Sequence, residues 1–300
     1  MKPSYRYCGL GLNWDTPFVC PELVAGGQDQ EADVVVRIGL IPFVRLPNGD
    51  PVQFAFSAEK VIVDVPIIGR FQVENGNTIT IQPNKTINHE TRLVLFGTVA
   101  AFLLRQRGLF AMHASSIATP NGAVLFAGHS GAGKSTLMAA LNTRNYAMIS
   151  DDITVIHPDA AQSTVLPGFP NMKLWANSMN ALGHSSVGLK TVRKHLANKY
   201  SVPIDGKVLR SNMPLYAVYI LEPTTQLAVS LFPLSHAQKF RHLASHAWHP
   251  QTVQEQGHHL THFYQSSTIA RRTRIVRVFR PNNLSQLNRY VDVIEQDFLQ

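Results

Sequence analysis

The sequence predicts an α/β chain with a β-rich N-terminal part, and three observations predict it. Residues 1–88 carry β-branched and alternating runs. Residues from about 90 onward alternate between strand-like and helix-like segments. Between one such strand and the next helix lies a glycine-rich loop, Gly128-His129-Ser130-Gly131-Ala132-Gly133-Lys134-Ser135-Thr136. Strands alternating with helices indicate helices layered on a sheet. The division read from this pattern is a β-rich subdomain at 1–88 and a second domain at 89–300, of which 222–300 is the C-terminal part.

In the first part, Val34-Val35-Val36-Arg37-Ile38 and Val61-Ile62-Val63-Asp64-Val65 read as strands. Phe71-Gln72-Val73-Glu74 alternates, turns at Asn75-Gly76-Asn77 and resumes as Thr78-Ile79-Thr80-Ile81, a hairpin signal. Pro42, Pro47 and Pro51 with Asn48-Gly49 mark loops. Residues 90–108 read as a helix, with Leu93, Phe96, Ala100 and Leu103 at helical spacing and Gly108 as its stop. Met112–Ala118 reads as one strand and Ala123–Ala127 as a buried strand. Leu137–Leu141 lies in a helix, and Ala147–Ser150 and Leu215–Leu221 are strands. Further on, Ser235–His246 and Leu284–Leu299 read as helices and Ile275–Phe279 as a strand.

Composition narrows the function classes. The chain has 300 residues, 45% hydrophobic and 15% charged, with a formal net charge of +8. It is long enough for a sizeable core and too apolar to be disordered. No basic run is interleaved with aromatics, so nucleic acid is not the expected partner. The basic balance suits a phosphate-binding enzyme with an acidic partner. Cys8 and Cys20 are too few for a disulfide framework and are expected as reduced thiols. The start lacks an apolar signal core, and the apolar run Leu93–Leu104 is too short to span a bilayer. A soluble, cytoplasmic protein with no membrane partner is expected.

The loop fits the pattern G-x-x-x-x-G-K-[ST]. Its glycines let successive backbone N–H groups curl around phosphate oxygens, and the following helix adds its positive end. Residues Gly128 to Thr136 are therefore the expected binding site for a nucleoside triphosphate. Lys134 is expected at the β/γ-phosphates and the Ser135 hydroxyl on Mg²⁺. Asp151-Asp152 follows the next strand, 17 residues after Lys134. Ligands in such sheets sit beyond the carboxyl ends of strands, which places both acids beside the loop. One carboxylate can hold Mg²⁺ and the other can take a proton from an attacking hydroxyl. Repulsion between the two is expected to raise the pKa of one. His113, on the strand before the loop strand, is expected near the transferring phosphate or the carboxylates.

These residues resemble the HPr kinase/phosphorylase family. The resemblance is closer to the HPr-kinase-like serine kinases of peptide-modification gene clusters, including those acting on lasso-peptide precursors. It rests on His113 in an H-A-S segment, the loop Gly128–Thr136, the pair Asp151-Asp152, and spacings of 21 and 17 residues to Lys134. Gly168-Phe169-Pro170-Asn171-Met172-Lys173-Leu174-Trp175 looks like the G-x-P-x-x-[KR]-L-W segment of that branch. The match covers about 109–220. It implies a P-loop kinase core of the HPr kinase type that uses ATP and Mg²⁺ to phosphorylate a serine of a peptide or protein. By that resemblance Lys134, Asp151, Asp152 and His113 would be its catalytic residues: Lys134 and Ser135 would hold the nucleotide and metal, Asp152 would be the base that activates the serine, and Asp151, also a metal ligand, and His113 would support it. The bifunctional members carry an acid-containing signature where this chain has Leu166–Trp175 without an acid, so the resemblance extends neither to dephosphorylation nor to HPr as acceptor. Lys173 stands there instead and is expected, with Arg193 and Lys194, at phosphate or an acidic peptide. Two other readings remain open: a kinase of a small hydroxyl compound, and a nucleotide-dependent regulator that binds or slowly hydrolyses ATP. Oligomeric state stays undetermined.

Two later clusters are expected to be structural. The histidine pairs His242/His246 and His258/His262 have zinc-like spacing but lack the glutamate of H-E-x-x-H. Arg271, Arg272, Arg274, Arg277 and Arg280 read as a solvated face, with a site for an acidic peptide or the nucleotide as the alternative.

Overall fold

The computed structural model describes residues 4–27, 29–42, 52–57, 59–192, 198–204 and 207–300. Pro47, Asn48, Gly49 and Pro51, read as a loop from sequence, lie outside the described residues, as do Arg193 and Lys194.

The described part of the N-terminal region forms one sheet. Its strands are β1 (Tyr5–Gly9), β2 (Leu12–Thr16), β3 (Val24–Ala25), β4 (Val34–Ile38), β5 (Gln53–Phe56), β6 (Lys60–Val65), β7 (Gly69–Glu74) and β8 (Thr78–Pro83), in spatial order β3-β1-β2-β4-β8-β7-β6-β5. The hairpin β7–β8 closes with Glu74 opposite Thr78, a three-residue loop. Asn75 and Gly76, central in the turn that the Asn77 N–H closes on the Glu74 carbonyl (3.1 Å), both take positive φ, 51° and 64°.

A helical run covers this sheet: α1 (His89–Val94), a π-helical turn Leu95–Val99, and α2 (Ala100–Gln106). Asn88 starts it with a reciprocal capping box to Thr91. The sequence reading of one helix over 90–108 holds in extent, but the π turn interrupts its register. Val94, Leu95, Val99, Phe102 and Leu103 pack on Trp14, Val61, Val63, Phe71 and Ile79, and the same core takes in Ile153, Val155 and Leu166 from further along the chain.

The second sheet is mixed. It contains β9 (Phe110–Met112), β10 (Ala114–Thr119), β11 (Gly122–Ala127), β12 (Met148–Ser150), β13 (Thr154–His157), β14 (Thr164–Leu166), β17 (Met213–Thr224), β18 (Ser230–Pro233) and β19 (Arg274–Pro281). A separate hairpin pairs β15 (Asn171–Trp175) with β16 (Lys199–Pro203). Helices are α3 (Lys134–Thr143), α4 (Ala176–Ala181), α5 (His236–His246), α6 (His259–Arg272) and α7 (Leu287–Leu299). β11 alternates its two buried faces. Val124 and Phe126 pack with α3 and α7, whereas Ala123, Leu125 and Ala127 pack with α5 and α6. Burial on both sides is why this strand is apolar throughout.

One expectation is corrected. Met112–Ala118 is not a single strand, because it breaks at His113. β9 pairs with β13, while β10 pairs with β11 and β12. At His113 the chain steps from one branch of the sheet to the other, and its N–H bonds the carbonyl of His246 instead of a strand neighbour (2.9 Å). The chain makes the matching step at Asp151–Ile153, between β12 and β13. The two steps lie side by side, with Met112 opposite Thr154 and Ser116 opposite Ser150.

Candidate functional site

β10 runs antiparallel to both β11 and β12, so those two strands share a direction and end at the same edge. β17 runs parallel to β11, and β19 parallel to β17. The loop after β11, the acids after β12 and Arg280 near the end of β19 therefore share one edge. The break at His113 opens on it as well.

The loop curls where only glycine is at ease. Gly128, Gly131 and Gly133 have φ of 143°, 82° and 89°. A Cβ on Gly128 would lie 2.6 Å from the Leu221 carbonyl oxygen. Lys134 opens α3 and folds back, its Nζ donating to the carbonyls of Gly128 (2.9 Å) and His129 (3.2 Å). Burial pushes its ammonium down to about 8, against the opposing pull of Asp152 and Asp151. The Thr136 hydroxyl bonds that of Ser178 on α4 (2.8 Å).

Asp151 is buried and accepts three hydrogen bonds. Its Oδ1 accepts from the hydroxyls of Ser135 (2.8 Å) and Ser115 (2.6 Å), and its Oδ2 from the backbone N–H of Lys173 (2.8 Å). Asp152 stands differently. Its φ is 71°, its Oδ2 takes an ion pair from Lys173 Nζ, and its Oδ1 lies 3.4 Å from His113 Nδ1. His113 Nδ1 also meets the Asp152 carbonyl oxygen at 3.0 Å. The expected rise in carboxylate pKa is not found at Asp152. Burial works to raise it, but the charges of Lys173 and His113 outweigh burial and hold the group well below the usual carboxylate range. Mutual repulsion is small beside a direct cation. Burial also lowers the His113 pKa, aided by Lys134 and opposed by Asp152.

Above this edge lies a cleft of about 910 Å³, a size suited to a small-molecule ligand. Ser130, Gly131, Gly133, Lys134, Ser135 and Thr136 form its floor, with His113, Asp152 and Lys173 at one side. The far wall comes from Trp175, Ser178, Lys199, Leu287 and Tyr290. Tyr290 Oη is buried without a hydrogen-bond partner among the described residues. His113, Lys134, Ser135, Asp151, Asp152 and Lys173 thus converge, while the His129 ring turns away to His246 (centroids 5.5 Å).

For Arg280 the solvated-face reading is corrected. It is 8% exposed. Its guanidinium donates to Ala132 O (2.7 Å), Pro281 O (2.8 Å) and Gly131 O (3.4 Å), so it braces the loop from beneath. Among the described residues no carboxylate pairs with it. It also lines the cleft. Arg274 and Arg277 instead pair with Asp297 and Glu222. The only advance signal was a third arginine at a strand end beside Pro281.

The late histidines pack as expected. Burial pushes His246 down to about 4, with a further contribution from His129. Among the described residues no group of three or more His, Cys, Asp or Glu is placed to hold a metal. Cys8 and Cys20 are free thiols. No helix among the described residues is long and apolar enough to cross a membrane.

No family profile matches the sequence, and no curated protein matches it. Among solved structures, the chain is similar to the Hpr(Ser) kinase/phosphatase from Coxiella burnetii, with 11% identity and a TM-score of 0.32 over 63% of this chain and 96% of that one. A likeness of that degree transfers no residue roles.

Proposed function

We propose that this chain is an ATP- and Mg²⁺-dependent kinase that transfers the γ-phosphoryl group to a serine hydroxyl of a peptide or protein. A ribosomally made peptide precursor is the acceptor class that the sequence resemblance implies. The observation that carries the reading is the convergence of Lys134, Ser135, Asp151 and Asp152 on one edge of the cleft. A glycine loop with a lysine binds polyphosphate, and an ionised carboxylate beside it can receive an alcohol.

The Ser135 hydroxyl and Asp151 carboxylate, 2.8 Å apart, are hard oxygen donors of the kind Mg²⁺ takes. When bound there, Mg²⁺ would neutralise charge on the β- and γ-phosphates. Lys134 would leave its own loop carbonyls for the phosphate oxygens. Arg280 would hold the loop and compensate phosphate charge from below. Asp152 would accept the hydrogen bond of the acceptor hydroxyl. The bond from the serine oxygen to phosphorus forms as the bond to the bridging oxygen breaks, ADP leaves, and the proton passes to Asp152 and then to water. Phosphoryl transfer is loose and needs positioning more than a strong base, so an acidic Asp152 is adequate.

One observation favours a second reading, a nucleotide-dependent regulator: Asp152 is already engaged by Lys173. Incubation with Mg·ATP and serine peptides, read by mass spectrometry, separates the two. One added phosphate on serine supports the kinase. Phosphate release with no labelled acceptor supports the regulator.

A further inference from the structure

The hairpin β15–β16 has two unlike faces. Met172, Leu174 and Val202 are buried with Leu137, Met138 and Leu141 of α3. Side chains alternate along a strand, and directly opposed residues share a face. Lys173 and Trp175, with their partners Ser201 and Lys199, therefore stand on the other side. There Lys173, Trp175 and Lys199 line the large cleft. Among the described residues the cleft is lined by Lys134, Lys173, Lys199 and Arg280 against the carboxylate of Asp152. Three of these cations are engaged. Lys134 and Arg280 donate to loop carbonyls, and Lys173 pairs with Asp152. The Lys199 ammonium makes no hydrogen bond or ion pair to a described residue and lies over the Trp175 ring, 5.7 Å from its centroid.

We propose that Lys199 is a further phosphate-binding residue of this site, its ammonium leaving the Trp175 ring for the γ-phosphate oxygens of a bound nucleoside triphosphate. The assignment rests on the kinase reading above and adds a cation that the glycine-loop pattern does not contain. Place argues for it. The hairpin register sets Lys199 across from Trp175, two residues along the strand from the Lys173 that holds Asp152. Both groups assigned to the transferring phosphate feel its charge. The Lys134 ammonium is lowered chiefly by burial and further by Lys199. Burial would raise Asp152, but Lys173, His113 and Lys199 hold it down. Strength argues the same way. A cation over a part-exposed ring is weakly held, whereas a phosphate oxygen offers it a charge-assisted hydrogen bond. Lysine carries three donors on a flexible four-carbon stem, so the ammonium can swing between the two. In the transition state charge spreads over the equatorial oxygens of the γ-phosphoryl group, where one more cation is most useful.

Trp175 reports the move, since it is 40% exposed whereas Trp14 is fully buried. The full chain is titrated with Mg·ADP and with a non-hydrolysable Mg·ATP analogue. Affinity is read by calorimetry, and Trp175 emission by difference from Trp175→Phe. In the wild type the analogue should change that emission and Mg·ADP should leave it. Lys199→Gln should weaken the analogue roughly tenfold or more, the scale of one charge-assisted hydrogen bond. It should leave Mg·ADP affinity within about twofold and abolish the emission change, while Lys199→Arg keeps most of the preference for triphosphate. If Lys199→Gln weakens both nucleotides equally, or if the analogue leaves wild-type emission unchanged, the assignment is overturned. If the variant binds both nucleotides normally, whether or not its peptide KM rises, the assignment is again overturned, and the kinase reading survives wherever the wild type labels serine. If the wild type binds no Mg·nucleotide, the kinase reading falls and this assignment with it.

Discussion

Asp152 sits at φ 71°, a region most side chains avoid but Asp and Asn tolerate through local hydrogen bonding. Asp152→Asn therefore keeps the backbone and removes only the charge. Phosphate transfer should fall at least ~100-fold, the scale of losing one electrostatic contact to a transition state. The circular-dichroism spectrum should be unchanged, and full activity in this variant would exclude Asp152 as the acceptor's partner. Lys173 sets the ionisation of that carboxylate. Because the folded-state pKa of Asp152 is depressed, the ion pair stabilises the protein fully above the ordinary value of 3.8 and loses this contribution as pH falls toward the folded value. Lys173→Met should thus lower the urea midpoint at pH 6, and the difference from wild type should shrink steadily as the pH falls below 3.8. It should also move the acid limb of the transfer rate to higher pH. A limb that stays in place would show that another group controls it.

The site is built at element ends, and each end is shaped by its neighbour. β9–β10 and β12–β13 change sheet branches at the same level, and the residues left unpaired by those steps, His113 and Asp151-Asp152, are the ones that face the loop. The loop is held in turn by β19 through Arg280. Gly133 joins the two, since at φ 89° its missing Cβ would stand 2.9 Å from Arg280 Nη2. Gly133→Ala should cost about 1–3 kcal/mol of stability, the range for a strained backbone position. It should also abolish nucleotide binding by displacing the guanidinium. Thermal melts with and without a Mg·ATP analogue would check both. A variant still stabilised by the analogue would refute the bracing role.

Over the whole molecule, the N-terminal sheet and the helical run α1–α2 share one core. Leu95, Val99, Phe102 and Leu103 are fully or nearly fully buried, and their apolar partners lie in β2, β6, β7 and β8. Exposing four such side chains costs roughly 6–12 kcal/mol, comparable to the whole stability of a typical domain. A chain of residues 89–300 alone should therefore be insoluble or molten, and a cooperative melt of that piece would contradict this. Glu22 of the N-terminal part lines a small cavity together with Asp151, Asp152 and Lys173.

Local chemistry was legible from residue order. The glycine loop with its lysine and serine, its flanking strand and helix, the β7–β8 hairpin and the acids after β12 all depend on neighbours within a few residues, where backbone preference and short spacing suffice. The alternation of strands and helices likewise indicated a mixed α/β chain. Tertiary structure alone decided the partners. Lys173 lies 21 residues from the Asp152 it neutralises, and Arg280 lies 148 from the Ala132 carbonyl it holds. The break at His113 exists because β10 and β9 pair with different strands. Ionisation and bracing arise from through-space Coulomb energy and burial, which depend on distances that sequence separation does not set.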